Sequence, residues 1–190
     1  GSAEARRHIR ELLLFRVRQP TPLLFAAHER LDFADFVRVL KLVSVLSFRY
    51  TVVSGLNTNA LEPVYHQAAN ALLTGQIHRP SEVFQRLQGI YVEDSSFISD
   101  FARLDIATAG QRKRLVKYVL CQLEADATGV HRDYETDAGT IEHILPENPL
   151  GDWSESFDAQ RQERFVYRLG NLTLLEASLN RQVGNQEWTD

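Results

Sequence analysis

From Asp32 to Tyr50 the apolar residues Phe33, Phe36, Val37, Leu40, Val43 and Leu46 recur on one side of a 3.6-residue repeat. A segment patterned in this way buries one stripe of a helix and cannot serve as a strand, whose side chains alternate between two faces. Asp32 stands just before the stripe, where its carboxylate can accept from the open amides of the first turn, and is the expected N-cap. The same spacing returns at Leu61, Val64, Tyr65, Ala68, Ala69 and Leu72, predicting a helix over 57–73 that Gly75 closes. Residues 3–18, with Ile9, Leu12, Leu13 and Phe15 between arginines, predict a helix that Gln19-Pro20-Thr21-Pro22 stops in a linker. Shorter helices are expected from Pro80 to Leu87 and from Asp94 or Ser95 to Leu104. A strong one, carrying Leu115, Tyr118, Val119 and Leu123, is expected from Gln111 to Ala125.

After Gly129 the periodicity is lost. Glycines, acids and prolines punctuate short β-prone pieces at Thr140–Leu145 and Asn171–Leu175, with a short helix between Asp158 and Leu169 and a last helix from Glu176 to Val183 ended by Gly184. The fold class expected is therefore mainly α: a helical scaffold over 1–128 and a small β-β-α element over 129–190. At 190 residues and 44% hydrophobic composition the two are expected to form one compact unit. The opening Gly1-Ser2 pair and the abrupt end at Trp188-Thr189-Asp190 lead us to expect a C-terminal domain excised from a longer protein.

No run approaches the roughly 18–20 apolar residues of a membrane span, so no membrane partner is expected and a cytoplasmic location is. The lone Cys121 rules out an intrachain disulfide framework and a cysteine-ligated zinc site, and is expected to be a core thiol. A formal net charge of −4 argues against tight nucleic-acid binding by bulk electrostatics, so any contact with DNA has to be local. Basic residues do cluster, in Arg112, Lys113, Arg114 and Lys117 and again in Arg161, Arg164, Arg168 and Arg181, while acids crowd 133–158. The first run is read foremost as pairing with acids such as Asp105 and Glu124. Arg161, Arg164 and Arg168 fall at helical spacing on one face and are candidates to grip phosphates.

Two phrases carry the chemistry: Thr140-Ile141-Glu142-His143-Ile144-Leu145-Pro146, and Gly170-Asn171-Leu172-Thr173-Leu174-Leu175 with Ser178-Leu179-Asn180 after it. An imidazole titrates near ~6.5, so it offers a neutral base at pH 7 once a partner fixes its tautomer. Carboxylate and amide oxygens suit a hard divalent cation that keeps some of its waters. Adjacent residues of a regular strand face opposite ways, so Glu142 and His143 can serve one site only where the strand breaks, and Pro146 supplies a reason for a break.

Together the phrases resemble the His-Asn-His (HNH), or His-Me finger, nucleases. More closely they resemble the C-terminal nuclease domain of the GmrSD-type modification-dependent restriction proteins, a group that includes phosphorothioation-sensing antiviral defence proteins. The match in motif covers residues 140–185. The resemblance implies a DNA endonuclease, nicking or cutting both strands, with His143 as general base and Asn171 as the partner that orients it. Glu142 and Asn180 fall at the metal-ligand positions, the ion being magnesium or manganese, with Asn185 a second candidate and Arg161, Arg164, Arg168 and Arg181 against the DNA. It further implies double-stranded DNA as substrate and an N-terminal, nucleotide-hydrolysing sensor domain outside this chain, with homo-oligomerisation left open as a route to double-strand cleavage. The sequence departs from the commoner motif in carrying Glu142 where many members have Asp, and Asn180 where others have His.

The rival expectation is a catalytically silent DNA-binding or protein-interaction module. His8, His28, His66, His78 and His131 lack metal-ligand spacing and are read as structural or surface residues, and no Ser-His-Asp, Cys-His or Gly-rich phosphate loop is found.

Overall fold

The computed structural model describes residues 2–149, 153 and 156–179. They form two compact units, residues 1–101 and 102–190. The first is all-helical: α1 (Ala3–Phe15), α2 (Thr21–Arg30), α3 (Phe33–Ser47), α4 (Leu61–Leu73), α5 (Pro80–Leu87) and most of α6 (Asp94–Ala102). α2 packs on α4 and α1 on α3 around a core that includes Leu23, Leu40, Val43, Leu46, Tyr65 and Leu72. Asp32 caps α3 as its position requires, its carboxylate accepting from the Asp35 amide at 2.8 Å. α3 then runs into a π-helical turn over Phe48–Val53.

The segment after α1 differs from the sequence expectation. Where Pro20 and Pro22 predict a linker, α2 begins: a proline in the first turn gives up an amide that has no intrahelical partner anyway, and its fixed φ suits the helix. The preceding helix stops four residues earlier, at Arg16, which takes a left-handed φ of 58° and returns its amide to Leu12 and Leu13.

Three of this unit's polar side chains are buried together. The Glu11 carboxylate receives Ser44 Oγ at 2.7 Å, His8 Nδ1 at 2.7 Å and Arg7 Nε at 3.0 Å. Burial works to raise the Glu11 carboxyl, and the hydrogen bonds from Ser44, His8 and Arg7 with the His8 charge outweigh it, holding it below its ordinary 4.5.

The second unit carries α7 (Arg112–Thr128), β1 (Thr140–His143), α8 (Ala159–Phe165) and β2 (Leu172–Leu175). β1 and β2 pair antiparallel, with Thr140 opposite Leu175 and His143 opposite Leu172. α7, ended by Gly129 at φ 75°, packs against β2, so the helix expected to belong with the scaffold shares a unit with the strands. Its core holds Leu104, Ile106, Val116, Val119, Cys121, Leu145, Val166, Leu169 and Leu172, and Cys121 is the buried thiol expected. Mainly α with a small antiparallel sheet near the C-terminus is the fold class read from the sequence. Residues 177–179 are helical, and the remainder of the last expected helix, through Val183 and Gly184, lies outside the described residues. Among the described residues no helix is long and apolar enough to cross a membrane.

Glu11 supplies a test of the first unit. A carboxyl held below its unfolded value contributes stability that is present above pH ~4.5 and is lost as pH falls through the folded value. Urea unfolding followed by circular dichroism should show a midpoint that falls on acidification below that pH, and Glu11→Gln should flatten this limb. A variant that keeps the full acid limb would show that other carboxyls carry it.

Candidate active site

β1 ends at His143, and the chain leaves the sheet at Ile144 on its way to Pro146. What holds this exit is Asn171, the residue before β2. Its side-chain oxygen accepts from the Leu145 amide at 2.7 Å, and its side-chain nitrogen donates to Leu145 O at 3.1 Å and to Val166 O at 3.0 Å. Its own carbonyl accepts from the Ile144 amide at 2.9 Å. With its own amide donating to Arg168 O at 2.8 Å, five hydrogen bonds pass through one residue, three of them to the segment after His143. The amide expected to orient the imidazole is engaged with backbone instead, satisfying both polar groups of Leu145 and the Val166 carbonyl at the end of α8.

Glu142 and His143, both still paired in the sheet opposite Thr173 and Leu172, line one cleft of about 310 Å³, together with Thr108, Lys113, Glu147 and Asn148. Thr108 and Tyr167 reach His143 through a short backbone ladder: Ile106 N donates to Tyr167 O at 3.0 Å and Leu169 N to Leu104 O at 2.9 Å, flanking a bridge between Asp105 and Arg168. Thr108 Oγ1 lies 3.4 Å from His143 Nε2, and the Tyr167 ring meets the imidazole edge to face at 5.8 Å between centroids. Glu147 Oε1 stands 3.8 Å from His143 Nε2 and accepts from Tyr167 Oη at 3.0 Å. The Glu147 carbonyl is held in turn by Gln162 Nε2 of α8 at 2.8 Å.

The His143 side chain is 13% exposed. Burial lowers its proton affinity, and the nearby Glu147 carboxylate partly offsets this, leaving the imidazole below its ordinary 6.5. At pH 7 it is neutral, with an open cleft before it. Tyr167 moves the opposite way: its bond and proximity to Glu147 raise the phenol.

Among the described residues no three His, Cys, Asp or Glu form a group able to hold a metal ion. A closed protein cage is therefore not what these residues offer. Carboxylates at Glu142 and Glu147 on a polar cleft are hard oxygen donors, and magnesium takes one or two of these beside water and phosphate. The donor set fits such an ion. Asn180, Arg181 and Asn185 lie outside the described residues.

The arginines separate. Arg161 and Arg164 are on α8, Arg164 with its guanidinium 5.5 Å from the centre of the Phe165 ring. Arg168 is not on that helical face, because α8 stops at Phe165 and Arg168 sits in the bridge, paired with Asp105 at 3.1 Å. The run on α7 also pairs otherwise than expected: Arg114 with Glu135, and Lys117 with the Asp137 carbonyl at 2.8 Å, while Glu124 takes Arg132 at 3.1 Å. Glu147, Thr108 and Tyr167 went unread in the sequence. Glu147 lies four residues after His143, a spacing that points to it only once the loop is known to fold back.

Two measurements follow. In an NMR titration the His143 ring should protonate below pH 6.5, and Glu147→Gln should move its midpoint lower still, since the carboxylate favours the charged ring. Asn171→Ala, which orphans the Leu145 amide and two carbonyls, should cost about 2–4 kcal/mol in urea unfolding of this unit. Loss of under 0.5 kcal/mol would mean that water replaces the amide.

Residues 91–190, just over half of the chain, match the family model for GmrSD restriction endonucleases, C-terminal domain. A search of curated proteins finds no match.

Proposed function

Because the chain belongs to the family of GmrSD restriction endonuclease C-terminal domains, we propose that it is an HNH-type, metal-dependent DNA endonuclease in which His143 activates the attacking water. Members of a restriction-endonuclease family are nucleases of defence systems, and DNA is their substrate. The observation that carries the finer reading is the position of His143, neutral and mostly buried at the mouth of a polar cleft on a strand end that Asn171 holds in place.

The chemistry then divides among the chain's own residues. His143 takes the proton from water as the oxygen attacks phosphorus, and its neutral state at pH 7 leaves it free to do so. Thr108 and Glu147 hold the ring's Nε2 side, and Tyr167 keeps Glu147 from turning away. Asn171 acts as a positioning residue, through the backbone that follows His143. Glu142, with Asn180 beyond the described residues, would hold the divalent ion. Magnesium or manganese bound there would neutralise the charge developing on the scissile phosphate and the departing 3′ oxygen. The products carry 5′ phosphate and 3′ hydroxyl ends. Arg161 and Arg164 are proposed DNA contacts, joined by Arg181, whereas the ion pair of Arg168 with Asp105 favours a structural part for that residue. Modification sensing, phosphorothioation included, and nucleotide hydrolysis belong on this reading to a domain outside the chain. Cleavage of both strands would bring two such sites to one duplex.

Supercoiled plasmid with magnesium or manganese is the direct test. Wild type should nick it, EDTA should abolish nicking, and His143→Ala should slow it by about 10²- to 10⁴-fold, the span of a lost general base. The rate should climb as pH rises through the His143 titration and level off near neutrality. A wild type inert with both metals, or a His143→Ala variant as fast as wild type, would leave the silent binding module as the better reading.

A further inference from the structure

The first turn of α7 contains Arg112, Lys113 and Arg114 and no acid. Cations are disfavoured there, because the open amides of a helix N-terminus carry partial positive charge. Two members of the basic run recover something: Arg114 pairs with Glu135, and Lys117 donates to the Asp137 carbonyl. Lys113 makes no ion pair among the described residues, is exposed, and lines the cleft that holds Glu142 and His143. A local cost retained without a local return is what a binding residue looks like.

The cleft's own charge points to the ligand. Glu142 and Glu147 line it, so a polyanion that approaches His143 comes up against two carboxylates. Lys113 is the cation among the described residues of that lining, and its flexible ammonium suits a single phosphate oxygen better than a base edge.

We propose that Lys113 is a phosphate-binding residue of the cleft, holding the nucleic-acid backbone of the strand presented to His143. This rests on the nuclease reading for its substrate, but it is a statement about binding and is separable from cleavage. Lys113 contacts no base, so it contributes affinity equally to all sequences. Its charge neutralises one phosphate and releases about one counterion's worth of salt dependence.

The test is binding of a fluorescein-labelled 30-base-pair duplex to the whole chain in EDTA, where no cleavage interferes, over a series of salt concentrations. Lys113→Gln should weaken binding several-fold and make the slope of log affinity against log salt about one unit shallower. Lys113→Glu should weaken it further while its Tm equals or exceeds that of wild type, since an acid in the first turn of α7 suits the helix end. Lys41→Gln, which removes the same net charge from the exposed side of α3 in the other unit, should leave both affinity and slope unchanged. Unchanged affinity and slope in Lys113→Gln would overturn the proposal even if the chain nicks plasmid. An equal loss in Lys41→Gln would reduce the effect to net charge and overturn it likewise, as would a wild type that does not bind DNA. A wild type that binds through Lys113 yet never nicks would sustain it and remove the nuclease reading alone.

Discussion

The Asn171 side-chain amide is the constraint on which the second unit's site depends. A two-stranded sheet of four residues a side is too small to be stable by pairing alone and needs its ends fastened to something else. Asn171 does this by completing the hydrogen bonds of Leu145 and reaching across to Val166, so the loop after His143, the start of β2 and the end of α8 share one residue. Because a primary amide has two donors and an acceptor with two lone pairs, it can serve three backbone groups at once, which neither Asp nor Ser could do in the same place. Burial of Leu145, Val166 and Leu172 around it keeps water from competing for those bonds.

That fastening fixes the chain just beyond two adjacent strand residues that line one cleft. Glu142 and His143 are both still in the ladder, opposite Thr173 and Leu172, so the break expected between them from the sequence falls one residue later, at Ile144. Pro146 cannot donate to a ladder and is buried beside Leu145, so the chain has no means of extending the sheet past that point. The ladder between 104–106 and 167–169 then sets Thr108 and Tyr167 against the imidazole from a part of the sequence with no motif of its own.

Much of this was legible in the residues themselves. Asp32 as a cap, the 3.6-residue stripe of α3 and α4, and the exit from helix at Gly129 are local properties, and the structure follows them. α2 was hidden because prolines are read as breakers, while in a first turn they are compatible with helix. Arg168 was misassigned to a helical face because periodicity continues past the residue at which α8 stops. Glu147 could not have been found by spacing: it earns its place through a loop held by Gln162 and a phenol twenty residues on. Local chemistry is written in the sequence, and the partners a side chain meets across 20 or 30 residues are written in the fold.

The electrostatics of the cleft are best understood as two opposed pressures on one imidazole. Burial alone drives His143 towards the neutral form, and a general base needs that form before the reaction. Once the ring has taken a proton it is a buried cation, which burial penalises, and the Glu147 carboxylate at 3.8 Å then acts in the favourable direction. An imidazole with burial and no carboxylate would be a weak base, and one with a carboxylate and no burial would be partly protonated before substrate arrived. On the proposed nuclease reading, the carboxylate that steadies the protonated ring would also repel an approaching phosphate, and a cation in the same cleft would offset that repulsion. Lys113, placed where its helix would sooner have an acid, lines the same cleft, and on the proposal made above it is the cation that offsets this repulsion.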